Sequence, residues 1–145
     1  MKNRVLLLVA VATLAITSAY AEDIVISAKK LPNTAQEFLN THFADGNIVR
    51  AVHDREVGDN DYTIWLNDGS KIEFNGKGNW ESVENKSAGV GSSVVPVNIK
   101  EYITTNYPSL VIVKIEKKVY GYEVELNNDL DLKFDSNGNF QRVDD

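Results

Sequence analysis

The sequence predicts an α+β protein. It is built from two tandem α-β4 repeats, whose antiparallel strands form one curved sheet with both helices on one face. Three observations predict it. First, the second half repeats the first: Tyr62–Glu84 laid over Tyr122–Asp144, an offset of 60, gives seven identities in 23 positions. They are Tyr62/Tyr122, Leu66/Leu126, Asn67/Asn127, Phe74/Phe134, Gly78/Gly138, Asn79/Asn139 and Val83/Val143. Second, Pro32, Phe38, Leu39 and Phe43 match Pro96, Tyr102, Ile103 and Tyr107 at an offset of 64, so one loop is four residues shorter in the second copy. Third, the segments between turn signals alternate apolar and polar residues, the period of half-buried strands.

Each element has its own justification. Asp23–Ser27 is a short apolar run, read as an N-terminal strand or arm. Pro32–Phe43 reads as a helix because Ala35, Phe38, Leu39, His42 and Phe43 recur on one helical face. Pro32 suits its start, where a missing N–H costs nothing, and Asp45-Gly46 ends it. Strands are expected near Ile48–Glu56, Tyr62–Asn67, Lys71–Asn75 and Trp80–Glu84. Gly58-Asp59-Asn60, Asn67-Asp68-Gly69 and Asn75-Gly76-Lys77-Gly78 join them as turns. Asn85–Ser93 is Gly/Ser-rich and reads as a linker. The unit then restarts. A helix over Pro96–Tyr107, stopped by Pro108, precedes strands near Leu110–Val119, Tyr122–Asn127, Leu130–Phe134 and Phe140–Val143. The predicted organisation is a leader over 1–21, arm and first repeat over 22–84, linker over 85–94 and second repeat over 95–145.

The leader carries Lys2 and Arg4, then an apolar run over Val5–Ile16 too short for a comfortable membrane span. Ala19-Tyr20-Ala21 follows as a cleavage signal. A cut after Ala21 predicts a periplasmic or secreted protein that does not insert into the membrane afterwards. The full chain has net charge −6. Loss of Lys2 and Arg4 leaves 13 basic against 21 acidic residues. An acidic surface disfavours nucleic acid and anionic lipid as partners. With no Cys, the protein is held by its core alone and has no thiolate chemistry.

Alternation sorts the faces. Tyr62, Ile64, Leu66, Ile72 and Phe74 point to the helices, as do Val111, Val113 and Ile115. Thr63, Trp65, Lys71, Glu73, Lys114, Glu116, Glu123 and Glu125 point away. One face is therefore core and the other charged and open. Trp65 is the leading candidate on the open face, since exposed aromatic residues on a sheet are enriched as binding anchors. The candidate binding set is Trp65, Thr63, Arg50, Lys71 and Glu73 with Lys114, Glu123, Glu125 and Lys133. Trp80, whose counterpart is Phe140, is assigned to the core.

Chemical motifs are missing. Asp135-Ser136-Asn137-Gly138-Asn139 has the oxygen spacing of a calcium-loop start, but its Gly is fourth rather than sixth and no Glu follows at the twelfth position. A hairpin turn is the expected role. His42 is expected to cap a helix, and His53 lacks the companions a zinc site needs. No nucleophile elbow or phosphate loop is present. Neither cofactor nor metal is expected, and the protein is not expected to be an enzyme.

The unit reads Leu31-Pro32, then Phe38-Leu39 and Phe43 on a helix, then Tyr62, Ile64, Leu66-Asn67-Asp68-Gly69, Ile72, Phe74, Gly78, Trp80 and Val83. The second copy has Val95-Pro96, Tyr102-Ile103, Tyr107-Pro108, Gly121-Tyr122, Phe134, Gly138, Phe140 and Val143. This resembles the PepSY-like, β-lactamase-inhibitor-like family of exported bacterial proteins. The resemblance implies the tandem architecture of a β-lactamase inhibitory protein, whose concave sheet face meets its partner. This chain has no counterpart of that inhibitor's disulfides. The expected function is a non-enzymatic binding or inhibitor-like module contacting a protein or peptide of the cell envelope, as a monomer or weak dimer. The alternatives are a small-ligand or metal sensor and, third, a carboxylate-dependent hydrolase.

Overall fold

The computed structural model describes residues 23–56, 58 and 60–144. The leader and its expected cut lie outside them, as does Asp59 of the first turn. The chain runs β1 (Ile24–Val25), a 3-10 turn (Ala28–Lys30), α1 (Asn33–His42), β2 (Ile48–His53), β3 (Tyr62–Leu66), β4 (Lys71–Phe74) and β5 (Trp80–Glu84). It continues with α2 (Val97–Asn106), β6 (Ile112–Lys118), β7 (Gly121–Leu126), β8 (Asp131–Asp135) and β9 (Phe140–Asp144). The strands form one sheet in the order of the sequence, every neighbour antiparallel. No helix among the described residues is long and apolar enough to cross a membrane.

Both helices start directly after a proline, Pro32 and Pro96, held at φ −53°. Each ends where the following aromatic residue turns its N–H back to a carbonyl four residues earlier, Phe43 to Leu39 and Tyr107 to Ile103. Their buried residues, Ala35 and Leu39 on α1 and Ile99 and Ile103 on α2, join one core with Ile64, Ile72, Val83, Ile115, Val124 and Leu132. Those six are cross-strand neighbours from β3 to β8. Residues opposite each other across a ladder share a face, so both helices cover the same side of the sheet.

Aromatic rings fill the space beneath each helix. Phe38 meets Phe74 edge-on at 5.6 Å and stacks on Trp80 at 5.8 Å. Tyr102 meets Phe134 edge-on at 5.5 Å and stacks on Phe140 at 4.5 Å. Trp80 thus belongs with the core, as its counterpart predicts. A β-bulge places it there: Ser82 pairs with Glu73 and Trp80 with Phe74, so Glu81 is the extra residue. Strict alternation would point Trp80 and Ser82 the same way; the extra residue turns Trp80 to the helix side. The same irregularity recurs at Phe140.

A second pair of bulges corrects the reading of β6. Ile112 pairs with Leu126 and Lys114 with Glu125, so Val113 is the extra residue. Ile112, not Val111, packs on the core, and Val111 is left 45 % exposed. Val113 is buried but stands apart from the core cluster.

The Gly/Ser-rich connection after β5 is packed rather than slack. Asn85 is 2 % exposed. Its amide nitrogen donates to the Asp68 carbonyl at 3.2 Å and Ser70 Oγ at 3.1 Å, and its oxygen accepts the N–H groups of Ser87 and Ala88. Val90 N–H donates to the Ile112 carbonyl at 2.8 Å.

Candidate functional site

On the side away from the helices the register lines up two rows of mostly polar residues across eight strands, with Trp65 in one and Val52 in the other. One row runs Arg50, Trp65, Lys71 and Glu84 on β2 to β5, then Lys114, Glu125, Asp131 and Asp144 on β6 to β9. The other runs Val52, Thr63, Glu73 and Ser82, then Glu116, Glu123, Lys133 and Arg142. All nine residues expected on the open face lie in these rows. They are Trp65, Arg50, Lys71, Lys114 and Glu125 in the first, and Thr63, Glu73, Glu123 and Lys133 in the second.

The first half of the face is aromatic and lightly charged. Trp65 is half-buried, and the Arg50 guanidinium lies 5.4 Å from its ring centroid. That distance is within cation–π range. Lys71 pairs with Glu73 on its own strand at 2.5 Å.

The second half is a network. Lys114 and Lys118 both hold Glu116, at 2.7 and 2.8 Å. Burial pushes the Glu116 carboxyl up, but the two ammonium groups outweigh it and leave it below its ordinary value. Lys133 bridges Asp144 at 2.5 Å and Glu123 at 3.9 Å, while Lys86 reaches over from the connection to Glu125. Tyr120 donates its hydroxyl to Glu123 at 2.7 Å and lies beneath the Lys133 ammonium. Burial and that carboxylate push its phenol up to about 12. Asp131 differs from its neighbours: partial burial first, then Glu125, Glu123 and Asp144 beside it, raise its carboxyl above the ordinary range.

Alternation on β8 marks Asp131 as readily as it marked Lys71 on β4, yet the set expected from the sequence misses it; the bulges in β5 and β9 hid Glu84, Arg142 and Asp144. Lys86 and Tyr120 carry no such signal, because they arrive from loops. Nothing in the local sequence marks the raised carboxyl of Asp131. It results from register, which sets Glu125, Asp131 and Asp144 side by side on three adjacent strands.

Lys114, Glu116, Glu123, Glu125 and Asp131 line a hollow of about 100 Å³, well below the roughly 300–1,000 Å³ of ordinary small-molecule sites. A larger hollow of about 370 Å³ lies on the helix side between α2 and the β8–β9 turn, with Glu101 its one charged lining residue. Among the described residues no three His, Cys, Asp or Glu side chains are placed to hold a metal ion. Asp135 spends one carboxylate oxygen on the N–H groups of Asn137 and Asn139, as a hairpin turn requires. His42 bonds to Ser93 Oγ at 3.1 Å instead of capping its helix. His53 stacks on Tyr62 and bonds to Asn60.

The model of a family described as "Putative beta-lactamase-inhibitor-like, PepSY-like" matches residues 60–142. No protein among the curated ones matches the chain. Among solved structures, a "putative calcium-regulated periplasmic protein" of Bacteroides thetaiotaomicron is 36 % identical with a TM-score of 0.80, covering 85 % of this chain and 97 % of its own. A "putative periplasmic protein" of the DUF2874 family from Bacteroides vulgatus is 39 % identical with a TM-score of 0.78, over 86 % of this chain and 98 % of its own. Another from B. vulgatus, described as of unknown function, is 33 % identical with a TM-score of 0.79, over 86 % and 100 %. With that match over residues 60–142 and these relatives across most of its length, the chain belongs to the PepSY-like, β-lactamase-inhibitor-like family.

Proposed function

We propose that this chain is a periplasmic, non-enzymatic binding module of the inhibitor-like kind, whose open sheet face contacts a protein or peptide of the cell envelope. One observation carries the reading: away from the helices eight strands present a mostly polar face, broken by buried Val52 and Ser82, with a half-buried tryptophan in its first half. Such a face suits a broad partner, with Trp65 as anchor and the ion-pair network as polar rim. In the same reading the two α-β4 units are tandem repeats, and the leader is removed after Ala21. The periplasmic neighbours support the compartment.

The alternatives have less behind them. Calcium regulation is said of one neighbour, but the acidic hollow here does not fit a calcium ion: Lys114 lines it, and Glu116 and Glu125 are already held by lysines. A hydrolase would need two acids in an enclosed pocket, whereas Asp131 and Glu125 lie in a small surface hollow.

The test is capture from periplasmic extract, with the chain from Glu22 onward as bait beside a Trp65→Ala, Glu73→Lys double variant. The reading expects a partner held by the first and lost by a still-folded second. A partner retained equally by both removes the open face from the function. Melting curves with calcium and with chelator test the sensor alternative, which requires stabilisation by the ion.

A further inference from the structure

The two helix-plus-four-strand units differ at one edge. Along β6, β5 and the connection after it line the stretch from Ile112 to Glu116: Glu84 pairs with Lys114, Asn85 N–H donates to the Val113 carbonyl, and Val90 N–H donates to the Ile112 carbonyl. At the offset of 64, those β6 residues correspond to Arg50, Val49 and Ile48 of β2. On β2 the covering strand is β1, and it stops short. Ile24 and Val25 pair with His53 and Val52, and Ile26 N–H reaches the Ala51 carbonyl. The chain then turns off into Ala28–Lys30.

The consequence is visible in exposure. Val49 is 68 % exposed, while its counterpart Val113 is 4 % exposed. Arg50 is exposed where Lys114 is half-buried between carboxylates. A hollow of about 130 Å³ lined by Ile48, Leu31, Leu39 and Gln36 opens beside this edge. In the second unit, Val90 packs on the core next to Ile112.

We propose that the Ile48–Arg50 edge of β2 is a strand-addition site for a peptide segment that carries a carboxylate on an extended stretch and then turns back to the edge, as Ser82–Val90 does beside β6. The segment runs antiparallel to β2, as β5 runs to β6. It sets a carboxylate opposite Arg50, donates a backbone N–H to the Val49 carbonyl, and places an apolar side chain toward Ile48 on its C-terminal side. Backbone hydrogen bonds supply the affinity of such an addition and alternate side chains its specificity. Strand edges left open are templates for pairing, and this one lies beside the Arg50–Trp65 pair. The proposal shares Arg50 with the open-face reading but rests on the backbone of the sheet edge, which the methylated peptide tests by itself.

The chain's own segment is the probe: a synthetic peptide of residues 82–91, SVENKSAGVG, titrated into the folded protein with backbone amides followed by NMR. Shifts confined to Ile48–Arg50 and the residues facing the hollow are expected. Methylation of the peptide's Asn85 nitrogen removes the donor to Val49 and is expected to weaken binding about tenfold. Arg50→Glu weakens the parent peptide by at least about fivefold, and a peptide with Glu84→Lys regains that loss on the Arg50→Glu protein. No saturable shift up to millimolar peptide, shifts on the open face alone, equal binding of the methylated peptide, or failure of the charge exchange would each overturn the proposal. Capture through the open face is read separately with the Trp65→Ala, Glu73→Lys variant, which leaves Arg50 and the edge backbone in place.

Discussion

Arg50 lies over Trp65, its guanidinium 5.4 Å from the indole centroid, and the two are direct neighbours across the β2–β3 ladder. Part of the indole remains in solvent. An exposed pair of this kind contributes about 0.5–1 kcal/mol. Trp65→Ala is therefore expected to lower unfolding free energy by no more than about 1.5 kcal/mol while abolishing partner capture. Urea denaturation beside the capture assay separates the two. A loss of several kcal/mol would instead make Trp65 a core residue.

Asp131 and Glu116 titrate in opposite senses. The raised Asp131 carboxyl means that the folded protein holds this proton more tightly than the unfolded chain. Stability from this group therefore falls as pH rises through the window above its ordinary value of 3.8. Asp131→Asn should stabilise the fold slightly at pH 7, within about 0.5 kcal/mol for a partly buried surface site, with the gain vanishing in acid. Glu116 is lowered, so its contribution is present above the ordinary 4.5 and is lost as pH falls below that value. Glu116→Gln should cost about 0.5–1 kcal/mol at pH 7 and nothing once the carboxyl is protonated. Thermal melts from pH 2.5 to 7 check both signs.

Asn85 satisfies four polar groups from a buried position between the two halves of the chain. Asn85→Ala leaves the amides of Ser87 and Ala88 without their acceptor and Ser70 without its donor. A loss of about 2–3 kcal/mol is expected. Hydrogen exchange should rise in residues 86–90 before it rises in β7, if the connection loosens first.

Gly121 opens β7 at φ +143°, and a Cβ there would fall 2.3 Å from the backbone of Phe134 and Asp135. No rotamer relieves a clash with backbone. Gly121→Ala is expected to cost at least about 2 kcal/mol, seen as a lower urea midpoint with an unchanged slope. Ala at Gly91, where a Cβ meets nothing within 4 Å, serves as the control.

Much of the fold was legible because it rests on periodicity. Helical spacing placed α1 and α2 to within a residue or two, and alternation placed β3, β4 and β7 and the outward side chains upon them. The offset between the halves showed that one loop is four residues shorter in the second copy, and the structure places that change between β2 and β3, against the tight Val119-Tyr120 turn. Bulges escaped this reading. An extra residue inverts alternation without leaving a trace in composition, so Val111 was turned inward when Ile112 takes that place, and Trp80 could be assigned only through its counterpart.

The candidate site divides in the same way. By itself the sequence determined that one sheet face is apolar and the other charged, because side-chain direction follows a period of two along each strand. It also determined the family, since core aromatics, turn glycines and helix-starting prolines recur at fixed spacing. Only the tertiary structure decided which charges meet: Lys133 with Asp144, Lys86 with Glu125, and Asp131 among carboxylates. It likewise decided that β1 leaves the first residues of β2 uncovered. Those outcomes depend on register between strands and on where a loop returns, which are set by packing across the sheet rather than by any local run of residues.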